Sequence, residues 1–285
     1  MNNRPALSHG LQIRWINGQC FEFKFSNGKT LLTDPWYSLN NHPEHPLAKV
    51  CPQGFSLENL EGADYIFLNH THVDHIYNLQ EVQNRFNSTV ITHSATAMDL
   101  AEAFDIPLTS VYPVDYNSSY YFDGFKLNTY HGTHHAQGYT LEKYYNRKVA
   151  DARRNRLSAM GSLFNTNFEL TTDEGLRIAF IGGDDDGMPE RFKVNGRPNI
   201  VIRNKMRRSE HMDNVAEEWA NFFKEANVQL LIPMHHEKWI SSQPEFAENV
   251  FKEMDEIMIE NGLIGRVAPL IRGKWYTIDL SITPM

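Results

Sequence analysis

Cysteine is nearly absent from this chain. Its 285 residues include two, Cys20 and Cys51, too few and too far apart for a disulfide framework or a paired-thiolate metal site. A reducing, cytoplasmic setting is the expectation. Surplus positive charge is lacking as well. With 27 Lys and Arg against 35 Asp and Glu, the formal charge is −8, so no nucleic-acid partner is expected, because phosphate backbones are bound through excess cations. No apolar run reaches the length needed to cross a bilayer, and Met1-Asn2-Asn3-Arg4-Pro5 lacks the apolar segment of a secretion signal, so no membrane span is expected. There is no internal repeat, low-complexity tract or break in composition, which predicts one domain over 1–285, long enough to bury a substantial core. Histidine is the residue in excess, at 13 copies, most of them in four clusters.

The densest cluster is Asn69-His70-Thr71-His72-Val73-Asp74-His75, a His-x-His-x-Asp-His pattern. An apolar, aromatic run, Ala63 to Leu68, precedes it with the length of a strand. Ile76, Leu79, Val82 and Phe86 follow at helical spacing, so the motif falls on a strand-to-helix turn. Neutral imidazoles and a carboxylate crowded onto one turn can converge on a divalent cation, and first-row metals accept this nitrogen and oxygen set. Isolated histidines are ordinary surface or core residues; four ligand-type side chains at this spacing are not explained that way.

Leu11 to Trp15, Cys20 to Phe25 and Lys29 to Thr33 read as strands, the last two joined by Asn27-Gly28. The third ends at Asp34-Pro35, where the carboxylate is either a turn former or a partner that orients a metal-bound histidine. The segment from Ser38 to Phe55 reads as a loop whose His42 and His45 are solvated. Thr89 to Thr92 is a strand, and Ser94 is expected to cap a helix with Met98, Ala101 and Phe104 on one face. A hairpin turning at Asp123-Gly124 runs into the second cluster, His131-Gly132-Thr133-His134-His135. A basic insertion around 136–165, with Arg147, Arg153, Arg154 and Arg156, reads as irregular, either a lid or a solvated helical face. A third hairpin, around Asp173-Glu174-Gly175, ends in Gly182-Gly183-Asp184-Asp185-Asp186-Gly187, which lacks the alternation and distal Glu of a calcium loop and so offers one metal ligand. Asp213 or Asn214 caps a helix burying Trp219, Phe222 and Phe223. A strand from Val228 to Ile232 then leads to Pro233-Met234-His235-His236. A last helix stops at Asn261-Gly262, and a strand pair, Val267 to Ile271 and Trp275 to Ile278, closes the chain.

Each cluster sits at a strand end, in the order His-x-His-x-Asp-His, His, Gly-Asp, Pro-x-His. This resembles the metallo-β-lactamase superfamily over nearly the whole chain. The resemblance implies an α/β fold, an αββα sandwich of two mixed sheets flanked by helices. By position it implies that His70, His72 and His134 hold one metal, that Asp74, His75 and His235 hold a second, and that Asp184 bridges them. His134 is favoured over His131 as the ligand of the second cluster. Within the superfamily, Gly161-Ser162-Leu163-Phe164 and His211-Met212-Asp213 are similar to the ascorbate-6-phosphate lactonase and N-acyl phosphatidylethanolamine phospholipase D type groups. That likeness makes His211 a substrate-side candidate. Asp185 departs from those relatives, in a position where they often carry Thr.

The expected function is metal-dependent hydrolysis of a phosphodiester or lactone, with an anionic or phosphorylated small molecule as substrate. Two divalent ions, zinc first and manganese or iron as alternatives, generate hydroxide near neutral pH. Asp74 is the candidate catalytic proton acceptor, and Arg153 and Arg154, among Arg147, Arg203, Arg207 and Arg208, could clamp a phosphate. An oxygen-using di-iron oxidoreductase is the alternative on the same ligand set. Assembly into a homo-oligomer stays open.

Overall fold

A computed structural model of the chain describes residues 10–39, 43–134, 152–183, 187–204 and 215–278, with backbone alone over 152–155. Strand periodicity decides the layering, because successive side chains of a strand point to opposite faces. Leu31, Phe67 and Ile91 enter one apolar cluster while their neighbours Leu32, Ile66 and Val90 enter another. In the second half of the chain, Ile178 and Phe180 share the first cluster, whereas Ala179 and Ile181 belong to a third. The first cluster is therefore the space between two sheets, and the other two lie under the helices outside them. The result is the expected αββα sandwich.

The first sheet has seven strands in the order β14-β1-β2-β3-β4-β5-β6. These are β1 (Leu11–Asn17), β2 (Cys20–Lys24), β3 (Thr30–Thr33), β4 (Tyr65–Phe67), β5 (Thr89–His93), β6 (Val111–Val114) and β14 (Trp275–Ile278). The second has the order β13-β12-β11-β10-β9-β8-β7. It comprises β7 (Ser119–Phe122), β8 (Phe125–Gly132), β9 (Asn165–Thr172), β10 (Arg177–Ile181), β11 (Ile200–Asn204), β12 (Leu230–Met234) and β13 (Arg266–Val267). Each sheet is mixed in the same way. An antiparallel meander (β1 to β3, β7 to β10) continues into parallel strands (β4 to β6, β11 to β13). Parallel strands are buried on both faces and need helical crossovers. The described helices are α1 (Val73–Ile76), α2 (Leu79–Phe86), α3 (Ser94–Phe104), α4 (Ala152–Gly161), α5 (Met188–Asn195), α6 (Val215–Ala226), α7 (Glu237–Ser242) and α8 (Pro244–Glu260).

Four expectations need correction. The cap of α3 is His93, whose Nδ1 accepts from the Ala95 N–H at 3.1 Å, and Ser94 is already helical. An imidazole acceptor does what a hydroxyl was expected to do. On the same helix Ala97, Leu100, Ala101 and Phe104 are buried, while Met98 is 57% exposed and shares no face with them. The last two strands are not partners: β13 pairs with β12 and β14 with β1, so the chain crosses from one sheet to the other between them. Within the segment expected to be irregular, 152–161 is helix α4, and 135–151 lies outside the described residues.

Phe168 joins the two sheets at their centre, with ring centroids 4.2 Å from Phe67 and 4.7 Å from Phe180. Phe168→Ala empties that space, and the loss of transfer free energy plus a residual cavity should destabilise the fold by about 3–5 kcal/mol. Urea unfolding measures this; a loss below about 1 kcal/mol would mean that the sheets close over the gap.

Candidate metal centre

The clusters gather at the ends of the parallel strands β4 and β12, the usual place of ligand crevices in α/β sheets, and of the antiparallel β8. β4 delivers Asn69 and His70, α1 carries Asp74 and His75, β8 leads to His134, and β12 leads to His235. The nitrogens of His70, His72 and His134 lie within 4.8 Å of one another, and so do the donor atoms of Asp74, His75 and His235. The two groups adjoin, since the rings of His70 and His75 are 3.7 Å apart. His134 approaches His70 and His72 at 4.7 and 4.5 Å between ring centroids. His131 points elsewhere, exposed and edge-on to Tyr116 at 4.9 Å.

Behind each of four histidines stands a polar protein group that faces one ring nitrogen. The Asn69 amide donates to the Thr166 carbonyl at 2.7 Å, so its oxygen must accept from His70 Nδ1, 2.9 Å away. His72 Nε2 lies 2.9 Å from Ser162 Oγ, and the Ser158 carbonyl also favours a proton on that ring. His75 Nδ1 is 3.0 Å from Asp34 Oδ2, and His235 Nδ1 is 3.0 Å from Glu237 Oε1. The nitrogens left over, Nε2 of His70, His75 and His235 and Nδ1 of His72, face inward. His70 Nε2 and His72 Nδ1 stand only 3.1 Å apart. Two inward lone pairs at that distance repel unless a cation sits between them, and about 3.3 Å is the edge of a tetrahedron around zinc with nitrogen ligands. The residues thus fit a metal, and partners behind the ligands are what orient imidazoles in metal sites.

Charge agrees with geometry. Burial, and then the neighbouring histidines, keep His70 far below the usual imidazole range; burial and His134 bring His72 down to about 3. Both rings are therefore neutral donors at physiological pH. Burial works against ionising Asp74, but His75, His235 and His72 outweigh it and hold its carboxyl well below the usual range. Burial also opposes a charge on His235, yet Glu237 and Asp74 overcome it and push this imidazole up to about 10. Asp74 keeps 20% of its side chain open to solvent, whereas Asp34 and Glu237 keep none. Of these three carboxylates among the described residues, only Asp74 can meet an incoming molecule.

Backbone constraints hold this arrangement. Asp34 and His235 both adopt left-handed φ, +39° and +59°, a strain that clusters at functional sites. Asp34 is both turn former and histidine partner, since Oδ1 also accepts from the Asn69 N–H at 2.7 Å. At the end of β10, Asn167 Oδ1 accepts from the Gly182 and Gly183 N–H groups, and Gln19 and Asn204 donate to the Gly182 carbonyl. A Cβ on Gly182 would come 2.4 Å from Asn69 and Gln19 side-chain atoms, so only glycine fits there. Helix α4 backs the motif: Thr71 Oγ1 donates to the Leu157 carbonyl at 2.5 Å, and Arg156 pairs with Asp99 of α3.

Other expectations fall differently. Arg203 packs its guanidinium over Phe222, 4.0 Å from the ring centre. His45 caps the turn Pro46–Val50, accepting from the Leu47 N–H at 3.2 Å. Asp184, Asp185, Asp186, His42, His135, Arg147, Arg207, Arg208 and His211 lie outside the described residues, as do the side chains of Arg153 and Arg154. Sequence reasoning missed Ser162, Glu237 and the amides of Asn69 and Asn167. The signal available for Glu237 was its place two residues after His235.

Two outcomes follow. His134→Ala should lower bound metal per chain more than His131→Ala, read by elemental analysis after dialysis; the reverse order would move the ligand to His131. Metal uptake at pH 7 should release at least one proton, that of His235, because the metal-free form holds it up to about pH 10. The sign is that of a raised histidine: its stabilisation of the metal-free fold is complete below about pH 6.5 and fades as pH rises towards 10, while metal affinity climbs over the same window. Calorimetry in buffers of different ionisation enthalpy counts the proton, and no release would refute the assignment.

Comparison with known proteins agrees with this fold. Residues 12–235 match the family described as the beta-lactamase superfamily domain. Two curated relatives, each a UPF0173 metal-dependent hydrolase, come from Caldivirga maquilingensis (31% identical over 90 residues, 32% of this chain) and Solibacter usitatus (28% over 87 residues, 30% of this chain). The matches span about a third of those relatives' own length, 34% and 33%. Among solved structures, a metallo hydrolase from the archaeon Ignicoccus hospitalis superposes with a TM-score of 0.65 at 15% identity, over 95% of this chain and 99% of that one. CmlA, a diiron beta-hydroxylase from Streptomyces venezuelae, superposes at 0.59 with 12% identity, over 97% of this chain and 55% of that one. At such identities the likeness is one of fold. With the family match covering most of the chain, from β1 to His235, the protein belongs to the beta-lactamase superfamily.

Proposed function

We propose that this chain is a metal-dependent hydrolase acting, as one domain, on a phosphodiester or lactone, with anionic or phosphorylated small molecules preferred. The observation that carries the reading is the pair of inward imidazole nitrogens, His70 Nε2 and His72 Nδ1, 3.1 Å apart with their other nitrogens tied to protein groups. His70, His72 and His134 would hold one divalent ion, and Asp74, His75 and His235 a second, with Asp184 between them. Zinc suits this donor set, and manganese or iron would also be accepted. When bound, such ions lower the pKa of water and supply hydroxide at neutral pH.

The chain's own residues then have distinct tasks. Asp74 is ionised and partly open to solvent, so it can orient the attacking water and take up its proton. Its oxygens lie 3.9 Å from His75 Nε2 and 3.5 Å from His235 Nε2, which keeps the carboxylate aimed between the two donor groups. His211, Arg153 and Arg154 are proposed to meet the substrate, the arginines by paired hydrogen bonds to an oxyanion. The arginines that could clamp a phosphate, rather than the substrates of the similar lactonase and phospholipase D type groups, favour an anionic or phosphorylated substrate. A second reading, an oxygen-using di-iron enzyme, draws on the fold shared with CmlA and on a donor set that suits iron as well as zinc.

The test is hydrolysis of a generic phosphodiester, phosphorylated and plain lactones, and an amide by protein loaded separately with zinc, manganese and iron. Turnover should appear with a phosphodiester or lactone and fall by a factor of about a hundred or more in Asp74→Ala. Activity that persists in Asp74→Ala would refute its role. Oxygen consumption by the iron-loaded protein, with no hydrolysis under any metal, would favour the oxidoreductase.

A further inference from the structure

The outer face of the second sheet changes character along its width. Under α6 and α8 it is apolar, built from Ala179, Ile181, Val201 and Leu231. Towards β7 it becomes a concave polar surface enclosing about 390 Å³, within the range of small-molecule sites. The cavity is lined by Lys126, Asn128 and Tyr130 of β8, Glu169 of β9, Arg177 of β10 and Arg191 of α5, among others. None of these residues contributes to the metal centre.

The lining is charged in one direction. It holds three cations and one carboxylate, in a chain whose overall charge is negative. The carboxylate is already engaged: Glu169, 2% exposed, takes the Arg177 guanidinium through contacts of 2.8 to 3.1 Å. Arg177 also donates to the Asn195 and Gly196 carbonyls, which fixes the wall below α5. Lys126 and Arg191 remain, and no carboxylate pairs with either among the described residues. Arg191 is held in place by Asn117 Oδ1 at 3.0 Å and by the face of Tyr130, 5.3 Å from the ring centre. Lys126 stands over the Tyr121 ring at 5.5 Å. Asn128 accepts from Ser119 Oγ at 2.6 Å through its oxygen, which leaves its amide nitrogen as a further donor. The cavity is thus preset with donors and net positive charge, the complement of an oxyanion.

We propose that this cavity is a second binding site, separate from the metal centre, for a small phosphorylated molecule. Its phosphate is clamped between Lys126 and Arg191, and the polar remainder lies along Asn128 and Ser119. The volume exceeds what a bare phosphate fills, so a phosphomonoester with a hydroxylated body fits better than the free ion.

The probes are inorganic phosphate and ribose 5-phosphate, titrated calorimetrically into the full chain both metal-loaded and metal-stripped. Stripping matters because phosphate can also meet the metal. Ribose 5-phosphate should bind the metal-stripped chain saturably and more tightly than phosphate. Lys126→Ala and Arg191→Ala should each weaken that binding about tenfold or more, the effect of losing one charge-assisted contact. Lys126→Glu should abolish it, and His235→Ala should leave it unchanged. Thermal melts establish that the variants fold, with Lys126→Gln as the milder substitute. Unaltered binding in the Lys126 and Arg191 variants, or no binding of either probe to wild type at millimolar concentration, would overturn the proposal.

Discussion

Much of this structure hangs on one carboxylate with no surface. Asp34 is fully buried at the end of β3, in a left-handed backbone conformation that a non-glycine residue adopts only when its surroundings compensate. One oxygen holds the Asn69 N–H at the end of β4, and the other faces His75 on α1. Three consecutive elements are thereby set relative to one another at the place where the donors converge. Burying a carboxylate is costly unless it is hydrogen-bonded or paired, and Asp34 meets that condition only through groups that belong to the centre. Glu237 has the matching position behind His235, after a second left-handed residue.

The same logic explains why the histidines are not interchangeable with other polar side chains. His70, His72, His75 and His235 each have one nitrogen facing a protein group behind the ring and the other turned inward. In the first donor group His70 and His72 are neutral and turn their lone pairs towards each other. The second is charged and, without a metal, balanced by the proton of His235 between Asp74 and Glu237. A cation relieves the repulsion in one group and replaces the proton in the other. The centre is built around a positive charge that the polypeptide supplies only in part.

The fold's layers were legible only through the resemblance that the ligand clusters carry; strand alternation shows them in the structure, where Leu31 and Leu32, or Phe180 and Ile181, take opposite faces. The His-x-His-x-Asp-His turn was legible because so many donor side chains rarely crowd together for another reason. Other features were hidden for specific causes. β6 contains Pro113, which suits only an edge strand, and β6 forms the edge of its sheet. β11 is buried on both faces, so its apolar run has no period. The cap of α3 went to His93 because an imidazole can accept where Ser94 was expected to. Ser162 could not be read from the sequence, since its role depends on where α4 ends against the motif, and Glu237 was signalled only by its place two residues after His235, its role depending on how the turn there returns the ring to its own chain.

The donors are divided between the two sheets. His70, His72, Asp74 and His75 follow β4 of one, while His134 and His235 follow β8 and β12 of the other. A cation held as proposed would therefore take ligands from both sheets, a rivet through a sandwich otherwise joined by apolar contact and crossing bonds such as that from Gln19 to Gly182. Its binding free energy adds to the cohesion of the layers. A substitution that lets the sheets slide, however far from the centre, would draw the two halves of such a site apart.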